Sequence, residues 1–272
     1  MDYRRRVVDD ELDDLMEELP AIALEGPRGV GKTATAERRA VTAYYFDDPA
    51  HRAIAEADPR QLLSGDPPVL LDEWQRVPSV WDAVRRAVDR GAAPGSFLLT
   101  GSATPSRSPT HTGAGRIVTI RMRPMVITER GIGAPAVSLS RLMDTKGYDP
   151  QGTTNTGLSE YVTEIVRSGF PAIRNLTRRS LRRQLDGYIA RIIDTDFQEH
   201  GHPVRRPETL SSWLRAYAAA TSTSASFETI RDAATGGHGD KPAKTTTQPY
   251  RDVLQKLWIV DPVAPWLPAR NF

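Results

Sequence analysis

The chain has 272 residues, enough for one large domain or two small domains that each bury a core. It contains no cysteine, which excludes disulfide bonds and thiolate metal sites, and no apolar run of about 18 residues, which excludes a membrane-spanning helix. Its 36 lysine and arginine residues nearly balance 34 acidic residues, so charge alone indicates no nucleic-acid partner. Because the N-terminal sequence also lacks the apolar segment of a secretory signal, we expect a cytoplasmic protein without membrane association.

Short apolar segments alternate with helical patterns in the first part of the chain. We predict helices over 11–18, 33–42 and 80–89, and strands over 21–26, 43–49, 67–73, 96–102 and 115–122. This alternation is typical of a parallel sheet that helices cover on both faces. The predicted fold class is therefore α/β.

The composition changes near residue 150. Residues 144–157 have the Gly, Thr, Asn and Pro content of a linker, and the net charge changes from −2 over residues 1–159 to +4 over residues 160–272. We therefore predict two domains, 1–150 and 158–272. In the second, mainly α domain we predict helices over 161–167, 178–193, 210–220, 227–233 and 246–257. A short hairpin after the last of these helices would complete a winged helix.

The segment Gly26–Thr33, GPRGVGKT, fits the phosphate-binding pattern GxxxxGK[ST] between a predicted strand and a predicted helix. Glycines let backbone N–H groups turn toward a phosphate chain, Lys32 reaches the terminal phosphates, and the Thr33 hydroxyl ligates Mg²⁺. We therefore predict that ATP and Mg²⁺ bind here. The predicted nucleotide-binding residues are Gly26, Pro27, Arg28, Gly29, Val30, Gly31, Lys32 and Thr33.

Two adjacent carboxylates, Asp72 and Glu73, end the apolar segment VLLDE about forty residues later. In P-loop NTPases the first carboxylate holds Mg²⁺ through water, and a carboxylate beside it can polarise an attacking water. We therefore predict Asp72 as a metal residue and Glu73 as a catalytic one. One alternative is that the two carboxylates only cap the next helix. The other is that the protein is a kinase that transfers phosphate to a small molecule.

Three further positions are candidates for the same site. Ser102 and Thr100 end the fourth predicted strand, where a hydroxyl would point beside the γ-phosphate, and we favour Ser102. Arg116 follows a stretch of Ser, Pro, Thr and Gly and is a candidate arginine finger for its own or a neighbouring subunit. A turn-forming hydroxyl and a solvated arginine are the alternatives. Asp47 is a weaker candidate, since it also fits a turn.

The segments GPRGVGKT, VLLDEWQRVPSVWDAV, FLLTGSAT and GAGRIVTIRMRPM resemble, in this order, the bacterial and archaeal AAA+ superfamily ATPases. In those proteins the P-loop domain precedes a winged-helix region and a domain of unknown function. The resemblance covers Tyr3 to Trp266 and implies that Asp72 and Glu73 are the Walker B pair, and that Ser102 is sensor 1. Arg123 departs slightly from the family pattern. Similar proteins also continue beyond Phe272, so we expect a truncated C-terminus that leaves Trp258 or Trp266 partly exposed.

The winged helix would bind either duplex DNA or a protein. Its recognition helix would start near Thr245–Gln248, with Lys241 and Lys244 ahead of it for phosphate contacts. The arginines at 174, 178 and 182 share one helix face, which a solvated face would also explain. We predict no metal site from the histidines, which lie in separate loops at His111, His200, His202 and His238.

The functional hypothesis from the sequence is an ATPase, and a homo-oligomer is compatible with it. ATP hydrolysis would switch the relation between the P-loop domain and the winged-helix module. The alternative is a nucleotide-sensing scaffold or DNA-bound regulator with negligible turnover.

Overall fold

The computed structural model of the chain describes residues 3–102, 112–133, 135–144, 147–235 and 241–262. By internal contacts the chain forms two compact units, Met1–Gln184 and Leu185–Phe272. The domain bounds drawn from the sequence, 1–150 and 158–272, stay a prediction. Within the described ranges, no helix combines the length and apolar character needed to cross a bilayer.

The first unit is built on a five-stranded parallel sheet, which confirms the predicted α/β class. Its strands are β1 (Ala21–Glu25), β2 (Thr42–Tyr45), β3 (Val69–Asp72), β4 (Phe97–Gly101) and β5 (Val118–Arg121). The order across the sheet is β2-β3-β4-β1-β5, and every neighbouring pair is parallel. All five strands therefore end at one edge of the sheet, where their following loops meet.

Among the described residues, seven helices belong wholly or partly to this unit. They are α1 (Val7–Glu18), α2 (Lys32–Glu37), α3 (Pro49–Ala57), α4 (Ser79–Asp89), α5 (Leu139–Asp144), α6 (Leu158–Arg167) and α7 (Arg178–Arg191). The division between the two units falls inside α7. Short 3₁₀ turns lie at Pro59–Ser64 and Trp74–Arg76.

Two of the predicted elements end at least four residues too late. The helix predicted over 33–42 ends at Glu37, because the N–H groups of Val41 and Thr42 already donate to the carbonyl of Pro68 at the start of the β2–β3 pairing. The strand predicted over 43–49 ends early, because Asp48 caps α3 by accepting from the N–H of Ala50 at 2.8 Å.

Apolar side chains cover both faces of the sheet. On one face the core includes Ala23, Phe46, Leu71, Trp74, Trp81 and Leu99. On the other face it includes Leu12, Leu24, Val30, Leu70, Leu98 and Met122. The central strands are thus buried on both sides, which explains their continuous apolar sequences.

The second unit is helical. After α7 come a π-helical turn (Ile192–Asp196), α8 (Phe197–Glu199), α9 (Pro207–Ala219), α10 (Phe227–Ala233) and α11 (Lys244–Lys256). Its buried side chains include Phe197, Leu210, Trp213, Ile230, Val253 and Leu254. The three helices predicted from residue 210 onward are present.

The described residues do not include the hairpin that would complete the predicted winged helix. Residues 258–262 contain no strand, and the following residues lie outside the described ranges. Trp258 is partly exposed, whereas Trp266 and Phe272 lie outside those ranges. The winged helix therefore stays a prediction.

Candidate nucleotide-binding site

The loop Gly26–Thr33 joins the end of β1 to the start of α2, as its motif predicts. Gly29 and Gly31 have φ values of 77° and 106°, in the left-handed region that only glycine adopts freely. A Cβ atom on Gly26 would lie 2.2 Å from the carbonyl oxygen of Met122, which follows β5. The loop is thus held against the sheet edge by glycines at the three positions where a side chain would be strained or excluded.

The Lys32 side chain lies inside this loop. It is 4% exposed, and its Nζ donates to the carbonyl oxygens of Gly26 at 2.9 Å and Pro27 at 3.0 Å. Burial lowers the pKa of Lys32 to about 8, while the carboxylates of Glu73 and Asp72 favour its charged form. The charge of Lys32 in the loop therefore interacts with the charges of the two carboxylates.

Asp72, the last residue of β3, is the centre of a hydroxyl cluster. The Thr33 hydroxyl donates to Asp72 Oδ1 at 2.8 Å, and the Thr100 hydroxyl donates to the same oxygen from the paired position on β4. Burial raises the pKa of the Asp72 carboxyl above its ordinary value, although both hydrogen bonds oppose this shift. The two predicted magnesium residues, Thr33 and Asp72, thus bring hard oxygen ligands together, and this donor set fits Mg²⁺.

Glu73 follows Asp72 in a left-handed conformation, with φ 56° and ψ 42°. This geometry is uncommon for a residue other than glycine and turns the chain sharply after the strand. The Ser102 hydroxyl donates to Glu73 Oε2 at 2.9 Å, and the Gln75 side-chain amide donates to the same oxygen. Gln75 also donates to Ser102 Oγ at 3.2 Å. Two side chains therefore fix the Glu73 carboxylate, and the sequence indicated one of them, Ser102.

The structure does not bring Arg116 to this site. Arg116 precedes β5, at the edge of the parallel sheet where strands begin, whereas the loop and Asp72 lie where strands end. Its Nε forms a 2.8 Å ion pair with Asp89 at the end of α4. The structure therefore gives no support to an arginine finger within the same subunit, and the catalytic role of Arg116, in its own or a neighbouring subunit, stays a prediction. Asp47 lies after β2, exposed, and its charge contributes to the raised pKa of Asp72.

Arg6 was not predicted from the sequence, and its buried side chain supports the phosphate loop. Its guanidinium is 4% exposed and donates to the carbonyl oxygens of Val30 at 2.8 Å and Arg123 at 2.7 Å. The same group pairs with the buried carboxylate of Glu129, at 3.1 Å from its Nε. Only the folded chain brings these segments together, because they lie more than twenty residues apart in sequence.

A cavity of about 280 Å³ lies beside the loop, on the side of Gly29 and Gly31. Tyr3, Ala34, Met125, Pro171 and Ala172 supply apolar surface, and Asn175 and three arginines supply polar groups. An apolar cleft with a few polar groups is the usual form of a small-molecule pocket. It is therefore a candidate for the part of a nucleotide that extends from the phosphates.

The parallel sheet, the loop after β1 and the acidic pair after β3 together define a P-loop domain. Residues 18–130 match the family model described as "AAA domain", and residues 158–271 match "Domain of unknown function (DUF8612)". The chain thus contains an AAA-type domain that is followed by a domain of unknown function. The order of these two domains is the one that the resemblance predicts, whereas the winged-helix region stays a prediction.

Two curated relatives are similar over most of this chain. They are the uncharacterized proteins Rv2008c of Mycobacterium tuberculosis and Mb2031c of Mycobacterium bovis, each 26% identical over 256 residues. The matches cover 91% of this chain but 50% of each relative, so the chain spans about half the length of the curated relatives it matches.

A solved structure shares the fold. The Walker-type ATPase PabY2304 of Pyrococcus abyssi superposes with a TM-score of 0.50 at 17% identity, over 94% of this chain and 90% of that chain.

Proposed function

We propose that the P-loop domain binds Mg²⁺-ATP and hydrolyses it. The observation that carries this proposal is the convergence of Lys32, Thr33, Asp72 and a fixed Glu73 carboxylate at one edge of the sheet. Lys32 supplies positive charge toward the terminal phosphates, and Thr33 and Asp72 are the residues that would hold the metal ion. When bound, Mg²⁺ neutralises the charge that develops on the phosphate oxygens.

Glu73 is the proposed base. Its carboxylate orients a water molecule and accepts a proton from it as the water oxygen attacks the γ-phosphorus and the bond to the β,γ-bridging oxygen breaks. Ser102 and Gln75 act through Glu73 by holding its Oε2. They are therefore positioning residues in this proposal.

The cavity beside the loop is the proposed site of the nucleobase and ribose. An apolar lining with Asn175 among its polar groups suits a planar heterocycle that carries hydrogen-bonding edges. Ala34→Leu would narrow this cavity from α2. We expect that change to weaken ATP binding while inorganic tripolyphosphate, which has no base, binds as before.

We further propose that nucleotide turnover switches the P-loop domain relative to the helical unit, which would contact duplex DNA or a protein. The helices α9, α10 and α11 share one buried core, which supports a helix-turn-helix type of module. Helix α11 is the proposed recognition helix, and it begins with the exposed residues Lys244, Thr245 and Thr246. A nucleotide sensor without turnover is the second candidate, which the fixed position of the Glu73 carboxylate disfavours.

Calorimetry and phosphate release on the 272-residue chain test this function. We expect Mg²⁺-ATP to bind and turn over, Lys32→Ala to lose binding, and Glu73→Gln to keep binding and lose turnover. Adding duplex DNA tests the proposed partner. Binding without phosphate release in the parent chain would favour the sensor, and unchanged ATP affinity in a folded Lys32→Ala variant would contradict the phosphate site.

A further inference from the structure

Helix α6 presents its polar face to the protein and its apolar face to solvent. Its buried residue is Glu164, whose carboxylate accepts hydrogen bonds from Arg174 at 3.0 Å and Arg130 at 3.4 Å. On the opposite face Leu158 is 81% exposed and Ile165 78% exposed. A surface helix ordinarily has the reverse orientation, with its apolar stripe toward the core.

This exposed face borders a groove of about 520 Å³ between α6 and the start of α7. Val162, Val166, Leu176 and Leu181 give the groove its apolar surface; the first two side chains are each 53% exposed. Arg167 and Arg178 also line it, and none of the described residues around the groove is acidic. Arg167 and Arg178 thus form a positive rim along the groove.

We propose that this α6–α7 groove binds an acidic amphipathic helix of a partner protein. Apolar side chains at i, i+3, i+4 and i+7 of such a helix would cover Val162 and Val166, and carboxylates beside them would meet the arginine rim. The site goes beyond the proposed nucleotide chemistry, because none of its residues belongs to the P-loop cluster.

The observations favour a helix over other anionic partners. A nucleic-acid backbone would pair with the arginines but has no apolar surface to cover the exposed stripe. A membrane surface would meet both, but Val162, Val166, Leu176 and Leu181 line a concave groove, which suits an inserted helix better than a flat bilayer surface. Both alternatives are kept as outcomes of the test.

The probe is a fluorescein-labelled peptide of about 18 residues with leucines at helical spacing and glutamates elsewhere, titrated with the 272-residue chain and followed by anisotropy. We expect saturable binding that Ile165→Asp, Val166→Asp and Arg178→Glu each weaken by about tenfold or more. The matched control is Leu139→Asp, which changes a side chain of similar exposure, 72%, on α5 and should leave binding unchanged. A peptide with lysine in place of glutamate should bind much more weakly.

Several results would overturn the proposal. They are the absence of peptide binding, equal loss in Leu139→Asp, and equal binding of the lysine peptide.

Binding of phosphatidylglycerol vesicles or duplex DNA in place of the peptide, with loss in the same variants, would assign the groove to another class of partner. A self-association that Ile165→Asp abolishes in sedimentation would assign it to a second copy of the chain. Circular dichroism checks that each variant is folded. If Val166→Asp is unfolded, the variants at the exposed positions, Ile165→Asp and Arg178→Glu, decide whether the groove binds the peptide.

Discussion

The hydroxyl of Ser102 donates a 2.9 Å hydrogen bond to Oε2 of Glu73, and the two residues follow strands that lie side by side in the sheet. A carboxylate on a left-handed turn would otherwise be free to rotate about its side-chain bonds. The hydrogen bond holds one oxygen and leaves the other able to accept a proton from water. Positioning of this kind affects the chemical step more than it affects ground-state binding.

Ser102→Ala should therefore lower kcat by about tenfold with little change in KM, and Glu73→Gln should lower it by at least about a hundredfold. Steady-state phosphate release with varied ATP separates the two parameters. Ser96→Ala is the matched control, because Ser96 is a buried serine at the opposite end of β4 that donates to the carbonyl of Ala93. A rise in KM without a change in kcat would make Ser102 a ground-state contact.

Local sequence indicates most of the P-loop cluster, since the phosphate loop directly follows β1 and Asp72 ends β3. Lys32, Thr33, Asp72 and Glu73 could be predicted because their motif spacing and flanking elements are continuous in sequence. Gln75 could not, because nothing in the segment WQR shows that its 3₁₀ turn directs the amide back to Glu73.

Contacts between distant segments account for the other differences. The sequence placed Arg116 near the strand that borders the P-loop, but only the parallel register shows that it precedes this strand at the far edge of the sheet. Arg6 escaped prediction because its partners at 30, 123 and 129 meet only in the folded chain. The inverted orientation of α6 was also unpredictable, since an amphipathic pattern predicts that the apolar face is buried, whereas in α6 the buried residue is Glu164.

The Arg6 guanidinium should stabilise both the fold and the phosphate loop. Arg6→Met leaves the carbonyls of Val30 and Arg123 and the carboxylate of Glu129 without their buried donor, so we expect a loss of about 3 kcal/mol of unfolding free energy. ATP affinity should fall as well, because Val30 lies within the loop. Urea denaturation and calorimetry measure the two effects.

The neighbouring Arg5 provides the control for this change. Its side chain is 64% exposed and pairs with Asp10 at the surface, so Arg5→Met should leave stability and ATP affinity nearly unchanged. Equal losses in the two variants would show that the Arg6 contacts have no special role.

Arg116→Ala should keep its turnover at protein concentrations where the chain is monomeric, because Arg116 pairs with Asp89 away from the phosphate loop. A contribution to a neighbouring subunit would instead make turnover per chain rise with concentration. In that case a mixture of Arg116→Ala and Glu73→Gln chains would recover activity that neither has alone. A large loss of turnover in a dilute monomer would contradict the geometry.

Glu25, the last residue of β1, should make the nucleotide-free chain less stable as the pH rises. Burial raises the pKa of Glu25 to about 7 from a model-peptide value of 4.5, and the charge of Lys32 opposes this shift only in part. No hydrogen bond to its carboxylate occurs among the described residues. A carboxyl whose folded pKa exceeds its unfolded pKa contributes no penalty below pH 4.5. The penalty then grows as the pH rises and is complete above about pH 7, where ionisation of the buried group costs about 3 kcal/mol.

Glu25→Gln removes that ionisation and keeps the shape of the side chain. The unfolding free energy of the variant, relative to that of the parent, should therefore rise by about 3 kcal/mol from pH 4.5 to pH 8. This rise should develop between pH 4.5 and about 7. Urea denaturation across this range, without nucleotide or magnesium, measures the difference. Glu17→Gln, an exposed change on α1, is the control and should give a nearly constant difference. If the stability difference between the parent and the Glu25→Gln variant stays constant from pH 4.5 to 8, Glu25 ionises as easily in the folded chain as in the unfolded one.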